Sequence, residues 1–443
     1  MILKDIREVA NMDYIIRNTT VLTMNTDDEV LEHVDVVIRD GVIGKIGPNL
    51  AETVPDAQII DGSGKLVMPG LINGHCHVPM TLLRNYADDM DLQTWLFDHI
   101  FPVEDRLNEE DVYWGSLLGI MEMLATGTTC FADMYYHMDG IASAVESSGI
   151  RAQLSRGQTC LDTGSDFSQN RAMQESVAFI KKWDGAAEGR ITTAMAPHAI
   201  YTCSPDYIRA IAGTAEKLGV PIHVHLDETV TEHEDCLKNY GKTPTAHLYD
   251  LGIFDLKTIA AHCVWITEDD MDLLKEKGVS VIHCPASNLK LASGIAPVPR
   301  AHFKGLNICI GTDGASSNNN LNLWEDMYLT SILHKGNTRD PKAITAAETL
   351  KMATVNGAKA LGMPYIGTVE EGKKADLIMI DLEKPHLKPL HNICSALVYS
   401  AQGSDVCMTM VDGRILYQNG EFRTIDREKV YYHLKKVCGR LFG

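Results

Sequence analysis

Eight short apolar segments rich in β-branched residues recur from Lys65 onward, separated by amphipathic helical stretches: KLVMPGLINGHCH, GTTCFADMY, IRAQLSRG, RITTAMAPHA, VPIHVHLDE, KTIAAHC, VSVIHCP and LNICIGTDG. Strands that alternate with helices pair in parallel, because each helix carries the chain back across the sheet. Eight such units over about 300 residues predict a (β/α)₈ barrel with insertions, spanning 67–365. A doubly wound sheet fits less well, since the first strand–helix turn lacks GxGxxG. The one GKT, Gly241 to Thr243, has Cys236 where a phosphate loop needs its first glycine and reads as chance.

Outside that rhythm the texture is all-β. YIIRNTTVLTM, VDVVIRDGVIGKIG and AQIIDGSGKLV alternate with hairpin turns at the N-terminal end. KADLIMIDL, ALVYSAQ and VCMTMVDGRILYQNGEF repeat the pattern near the other end. The two segments, 12–66 and 366–425, are expected to form one small β-sandwich into which the barrel is inserted. Val430, Leu434, Val437 and Leu441 recur at helical spacing and predict a terminal helix over 426–443. Residues 1–11 read as a polar lead-in.

Composition narrows the partners. With 443 residues, 45% of them apolar, the chain can bury a large core. Its formal charge of −19 would repel nucleic acid and acidic membrane surfaces, so neither is expected as a partner. Eleven scattered cysteines without a CxxC pair argue for reduced thiols, and no secretory signal or membrane span is legible, so a cytoplasmic protein is expected.

Titratable residues collect at the C-terminal ends of the eight segments: His75 and His77, Asp133, Arg156, His198, His225 with Glu228, His262, His283 and Asp313. In a barrel all these ends open on the face that carries the site. Residues i and i+2 of a strand share a side, so His75 and His77 converge while Cys76 turns away. Three imidazoles and a carboxylate suit one divalent ion, Zn²⁺, with a position left for water. His225 and Asp313 complete the set, although His223 shares a face with His225 and periodicity alone leaves the two open. Glu228 lies past the strand end, where a carboxyl can pass a proton from activated water to a substrate nitrogen. His262 is open to three readings: orienting the nucleophile, which is favoured, ligating a second ion, or packing as a structural histidine. For His283 the structural reading is preferred.

With these residues assembled, the chain resembles the amidohydrolase superfamily in MPGLINGHCH, HVHLDET, AAHCVWIT, HCPASNLKLASGIAPV and GTDGASSNNNLNL. More closely, it looks like the S-adenosylhomocysteine/5′-methylthioadenosine deaminases, through PMTLLRNYADDMDLQTWLFDHIFPVEDRL, GTVEEGKKADLIMIDL and MVDGRILYQNGEF. The resemblance implies a barrel inserted into a sandwich and a zinc or iron ion on His75, His77, His225 and Asp313. Glu228 would be the proton shuttle, and His262 would hold the attacking hydroxide together with Asp313. It further implies that Glu104 contacts the ribose, that Arg156 and His198 contact substrate, and that Arg171 helps to hold a homocysteine carboxylate. Three departures stand out: Cys76 within HCH where a hydroxyl residue is usual, Trp265 where histidine is common, and Asp227 where a small residue is common.

The expected reaction is hydrolytic deamination of an adenine nucleoside by a homo-oligomer, dimer or tetramer. Its substrate would be S-adenosylhomocysteine, methylthioadenosine, 5′-deoxyadenosine or adenosine. The alternative is a related deaminase or chlorohydrolase acting on a triazine or a guanine-like base. A two-metal cyclic-amide hydrolase needs a lysine on the fourth strand, and RITTAMAPHA has none. A scaffold without ligands would not keep the complete set of site residues. The other zinc deaminase fold uses PCxxC, which is absent here.

Overall fold

The computed structural model describes residues 12–27, 29–164 and 166–443, so the expected lead-in over 1–11 lies outside the described residues. Five strands come first: β1 (Tyr14–Leu22), β2 (Val30–Arg39), β3 (Val42–Gly47), β4 (Gln58–Asp61) and β5 (Lys65–Pro69). Eight parallel strands follow in sequence order, β6 (Leu71–Cys76), β7 (Thr128–Tyr135), β8 (Arg151–Gln158), β9 (Ile191–Pro197), β10 (Ile222–Leu226), β11 (Thr258–His262), β12 (Ser280–His283) and β13 (Asn307–Ile310). At least one helix follows each of them, and β6–β13 form the (β/α)₈ barrel. Its ends meet where Asp313 N–H donates to His75 O at 3.0 Å. Gly311 permits that approach, since a Cβ there would sit 2.9 Å from the His75 backbone.

Strands β14 (Leu377–Asp381), β15 (Val406–Val411), β16 (Arg414–Gln418) and β17 (Glu421–Phe422) return to the first sheet. The resulting nine-stranded mixed sheet has the order β17-β16-β15-β14-β5-β1-β2-β3, with β4 on β1. The two chain ends therefore share one sheet, in which β14 pairs antiparallel with β5. Tyr14, Ile16, Val36, Ile38, Leu377, Met379 and Met410 pack in one of its apolar clusters.

Two strand expectations need correction. KLVMPGLINGHCH is not one strand: it breaks at Gly70, with β5 in the mixed sheet and β6 in the barrel. Gly70 fits because any Cβ would meet the Thr129 side chain at 2.1 Å. ALVYSAQ is not a strand: its first four residues close the helix Ile393–Tyr399, capped by Asn392, whose side chain accepts from Ser395 N–H. Its alternating apolar residues suit a strand, but a good cap and tertiary packing of Leu397 and Val398 override that preference. The terminal helix runs Arg427–Phe442 and buries Val430, Val437 and Leu441. Around the GKT, Gly241 ends one helix in the left-handed region and Thr243 caps the next, while Lys242 pairs with Asp250. Among the described residues no helix is long and apolar enough to cross a membrane.

Candidate metal centre and substrate cavity

The strand ends converge as barrel geometry requires, and hydrogen bonds fix the protonation of each ring. Ser155 O–H donates to Asp133 O at 2.8 Å, so at 3.3 Å the His223 Nδ1–H must donate to Ser155 Oγ. Neutral His223 then accepts at Nε2 from His75 Nδ1–H, 2.7 Å away, which leaves a lone pair on His75 Nε2. His77 gives its Nδ1–H to Met134 O at 2.5 Å, and His225 gives its own to His198 O at 2.8 Å. The Nε2 lone pairs of His77 and His225 therefore face each other at 3.4 Å. Asp313 Oδ1 stands 3.3 Å from His75 Nε2 and 3.2 Å from His77 Nε2. The His75 contact is off the hydrogen-bonding direction, so His75 Nε2 has no hydrogen-bond partner.

Three acceptor nitrogens and a carboxylate oxygen pointed at one another repel unless a cation lies among them. This donor set fits a divalent metal, and two overlapping ligand trios occur here: His75, His77 and Asp313, and His75, His225 and His262. His225, not His223, faces the cluster; His223 stands behind His75. The electrostatics agree. Burial, helped by neighbouring imidazoles, lowers His75 to about 4 and drives His225 well below its ordinary value. Burial opposes charge on His77 too, yet Asp313 beside it lifts it to about 9. Burial would raise the Asp313 carboxyl, but the His75 and His77 rings against it hold it well below the usual range. The field at this point attracts positive charge.

The surrounding shell holds these groups in place. Asp313 Oδ2 accepts from Ser287 and Ser317 at 2.6 and 3.0 Å, and its Oδ1 accepts from Gly314 N–H. His262 gives Nδ1–H to Asn288 Oδ1 at 2.8 Å and turns Nε2 toward Glu228, 3.8 Å from Oε2. Glu228 is raised, by burial first and Asp313 next, and His262 is raised because Glu228 and Asp313 outweigh its burial. Asp227, His262 and Asp313 all adopt positive φ (51°, 73° and 61°), a strain of about 1–3 kcal/mol each; His262 and Asp313 line the cavity, while Asp227 turns to His233 at 2.9 Å.

Beside the cluster lies a cavity walled by Met80, Leu92, Trp95, Tyr135, His198 and Leu291, with His77, His225, Glu228, His262 and Asp313 at its floor. Glu104 and Phe101 join it to an outer cleft of about 930 Å³ lined by Arg156, Arg171 and Glu175. Glu104 is buried, its Oε1 lacks a hydrogen-bond partner, and burial lifts its carboxyl to about 7. His198, lowered to about 3 by burial and the nearby imidazoles, donates Nδ1–H to Thr202 Oγ1 at 3.0 Å.

Not every strand-end residue reaches the site. Cys76 points to Asp133, its Sγ 3.5 Å from Oδ1, and Asp133 also accepts from Val78 N–H at 2.6 Å. His283 packs against His334, Nε2 to Nε2 at 3.2 Å. Sequence reasoning passed over Ser287, Asn288, Ser317 and Glu175. The signal for the first three was the polar run after each strand end, PASN and GASSN.

The sequence profile of the amidohydrolase family matches residues 66–416. The 5-methylthioadenosine/S-adenosylhomocysteine deaminase of Caldanaerobacter subterraneus subsp. tengcongensis is 47% identical over 434 residues, 97% of this chain and 99% of that one. The 5′-deoxyadenosine deaminase of Methanosarcina acetivorans is also 47% identical, over 97% of this chain and 98% of its own. Among solved structures, a zinc-bound adenosine deaminase from Xanthomonas campestris superposes with a TM-score of 0.92 at 36% identity, covering 97% of this chain and 98% of that one.

Proposed function

This chain belongs to the amidohydrolase family and is a hydrolase acting on a carbon–nitrogen bond, and from that premise we propose that it deaminates an adenine nucleoside. The substrate set is S-adenosylhomocysteine, methylthioadenosine, 5′-deoxyadenosine and adenosine. The observation that carries the reading is the convergence of three imidazole lone pairs and Asp313 Oδ1 beside a buried Glu228, whose carboxyl burial raises.

A zinc or iron(II) ion held by His75, His77, His225 and Asp313 would supply the Lewis acidity that makes water nucleophilic near neutral pH. His262 stands on the Glu228 side of the cluster, and we assign it with Asp313 to orienting the water that attacks C6 of the purine. Glu228 gives its proton to N1 as the C6–O bond forms. It then takes a proton from the added oxygen, passes it to the exocyclic amine as the C6–N bond breaks, and takes the second as the C6 carbonyl forms. Ammonia and the hypoxanthine nucleoside leave.

Glu104 is assigned to the ribose hydroxyls, and His198 and Arg156 to further nucleoside contacts, with Arg171 at the outer end of the cleft. A triazine or a free base would leave the buried Glu104 oxygen without a partner, which favours a nucleoside. The sandwich (12–66 and 366–425), the barrel (67–365) and the terminal helix (426–443) are proposed as the domain plan, with the first boundary moved to Gly70, where β5 leaves the mixed sheet and β6 opens the barrel. The eleven cysteines form no disulfide among the described residues, which supports a reducing, cytoplasmic setting. A homodimer or homotetramer is proposed, to be read by light scattering.

The test is a panel: metal-loaded protein with the four adenine nucleosides, guanine and a chlorotriazine, following ammonia, chloride and the ultraviolet spectrum. Turnover confined to the adenine nucleosides supports the reading. Turnover of only guanine or the triazine transfers it to the alternative.

A further inference from the structure

The outer cleft holds three long cationic side chains, Arg156, Arg171 and Lys182, and each already has an acidic partner. Arg156 presents Nε and Nη2 to Glu175 Oε2 at 2.8 and 2.7 Å, while its Nη1 donates to Gly157 O at 2.8 Å. Arg171 Nε donates to the other oxygen of the same carboxylate at 2.7 Å. Lys182 pairs with Asp139 at 3.0 Å. The face of Arg156 used by Glu175 is the fork through which a guanidinium grips a carboxylate ligand. Asp105 and Glu109 add further negative charge to the lining.

We propose that Glu175 is a specificity-determining residue: an internal carboxylate that fills the Arg156 fork and tunes the site toward adenine nucleosides whose 5′ substituent is uncharged. This rests on the adenine-nucleoside reading above and narrows it. The cleft is roomy enough for a long 5′ extension, so its charge, not its size, does the selecting. A substrate carboxylate reaching this point must displace Glu175 from Arg156 or use the outer guanidinium of Arg171, whose side chain is 89% exposed. An exposed pair of that kind contributes little. Methylthio and 5′-deoxy groups ask nothing of the fork. Overall identity does not choose between the two substrate types, because relatives carrying either name are equally similar at 47%.

The test compares wild type with Glu175→Gln and Glu175→Ala, all metal-loaded and checked for metal content. The readout is kcat/KM on methylthioadenosine, 5′-deoxyadenosine and S-adenosylhomocysteine. Wild type is expected to favour the two uncharged nucleosides. Both variants are expected to raise the S-adenosylhomocysteine to methylthioadenosine ratio roughly tenfold, chiefly through KM for S-adenosylhomocysteine. A ratio that stays constant overturns the proposal, and so does one that falls, which would make Glu175 the acceptor for the amino-acid ammonium. Turnover of none of the three nucleosides by wild type removes the reading beneath it and the proposal together.

Discussion

His75 owes its lone pair to a chain of three donors that ends on a barrel carbonyl, Asp133 O. Cys76 is the instructive contrast. It lies between His75 and His77, yet strand alternation turns it to Asp133, and burial with that carboxylate pushes its thiol well up. Cys76→Ser keeps a donor for Asp133, so it should retain one metal per chain by elemental analysis and at least half of wild-type turnover. Loss of the metal would place Cys76 in the grip. The HxH spacing was readable in sequence because a period of two is rigid. The identity of His225 over His223 was not, because both share that period and only the ring partners separate them.

Elements place these residues, and their legibility varies with how local their causes are. The ends of β6–β13 could be read from sequence because strand, helix and turn signals alternate regularly. The helix Pro285–Lys290 could not be read for function: it folds directly after β12 and carries both Ser287, on Asp313, and Asn288, on His262. Nothing in the periodicity of six residues reveals two such contacts. Helix Ile393–Tyr399 was misread as a strand for a related reason, since its cap and its buried face are tertiary facts. The join between the barrel and the mixed sheet is also long-range. Arg151, at the start of β8, is almost fully buried and is held by Asp376 at 2.8 Å and Asp412 at 3.1 Å. Asp376→Ala leaves a buried guanidinium short of charge and should cost about 3–5 kcal/mol in urea unfolding. A cost below about 1 kcal/mol would show that water or Asp412 replaces it.

At the scale of the molecule, buried carboxyls make stability depend on pH. Burial first, with neighbouring acids, lifts Asp227, Glu232 and Asp326 each to about 8. Above an ordinary carboxyl value of about 4 the unfolded chain has released protons that the folded chain still holds. Their contribution is full below that value and is lost as pH rises through about 8. Metal-loaded protein should therefore lose Tm from the mildly acidic range toward pH 8, and Asp326→Asn, which mimics the neutral acid, should flatten that slope. An unchanged slope would remove Asp326 from the account. The central claim, that one metal-centred site deaminates an adenine nucleoside with Glu228 moving the proton, is tested most directly by wild type and Glu228→Gln on methylthioadenosine. Metal content, ammonia and the hypoxanthine spectrum are read together. The account predicts one ammonia per nucleoside from wild type, and from the variant a full metal complement with turnover reduced at least a thousandfold, on the order expected for a lost acid–base group. Wild type that releases no ammonia, or a Glu228→Gln protein that remains active, would contradict it.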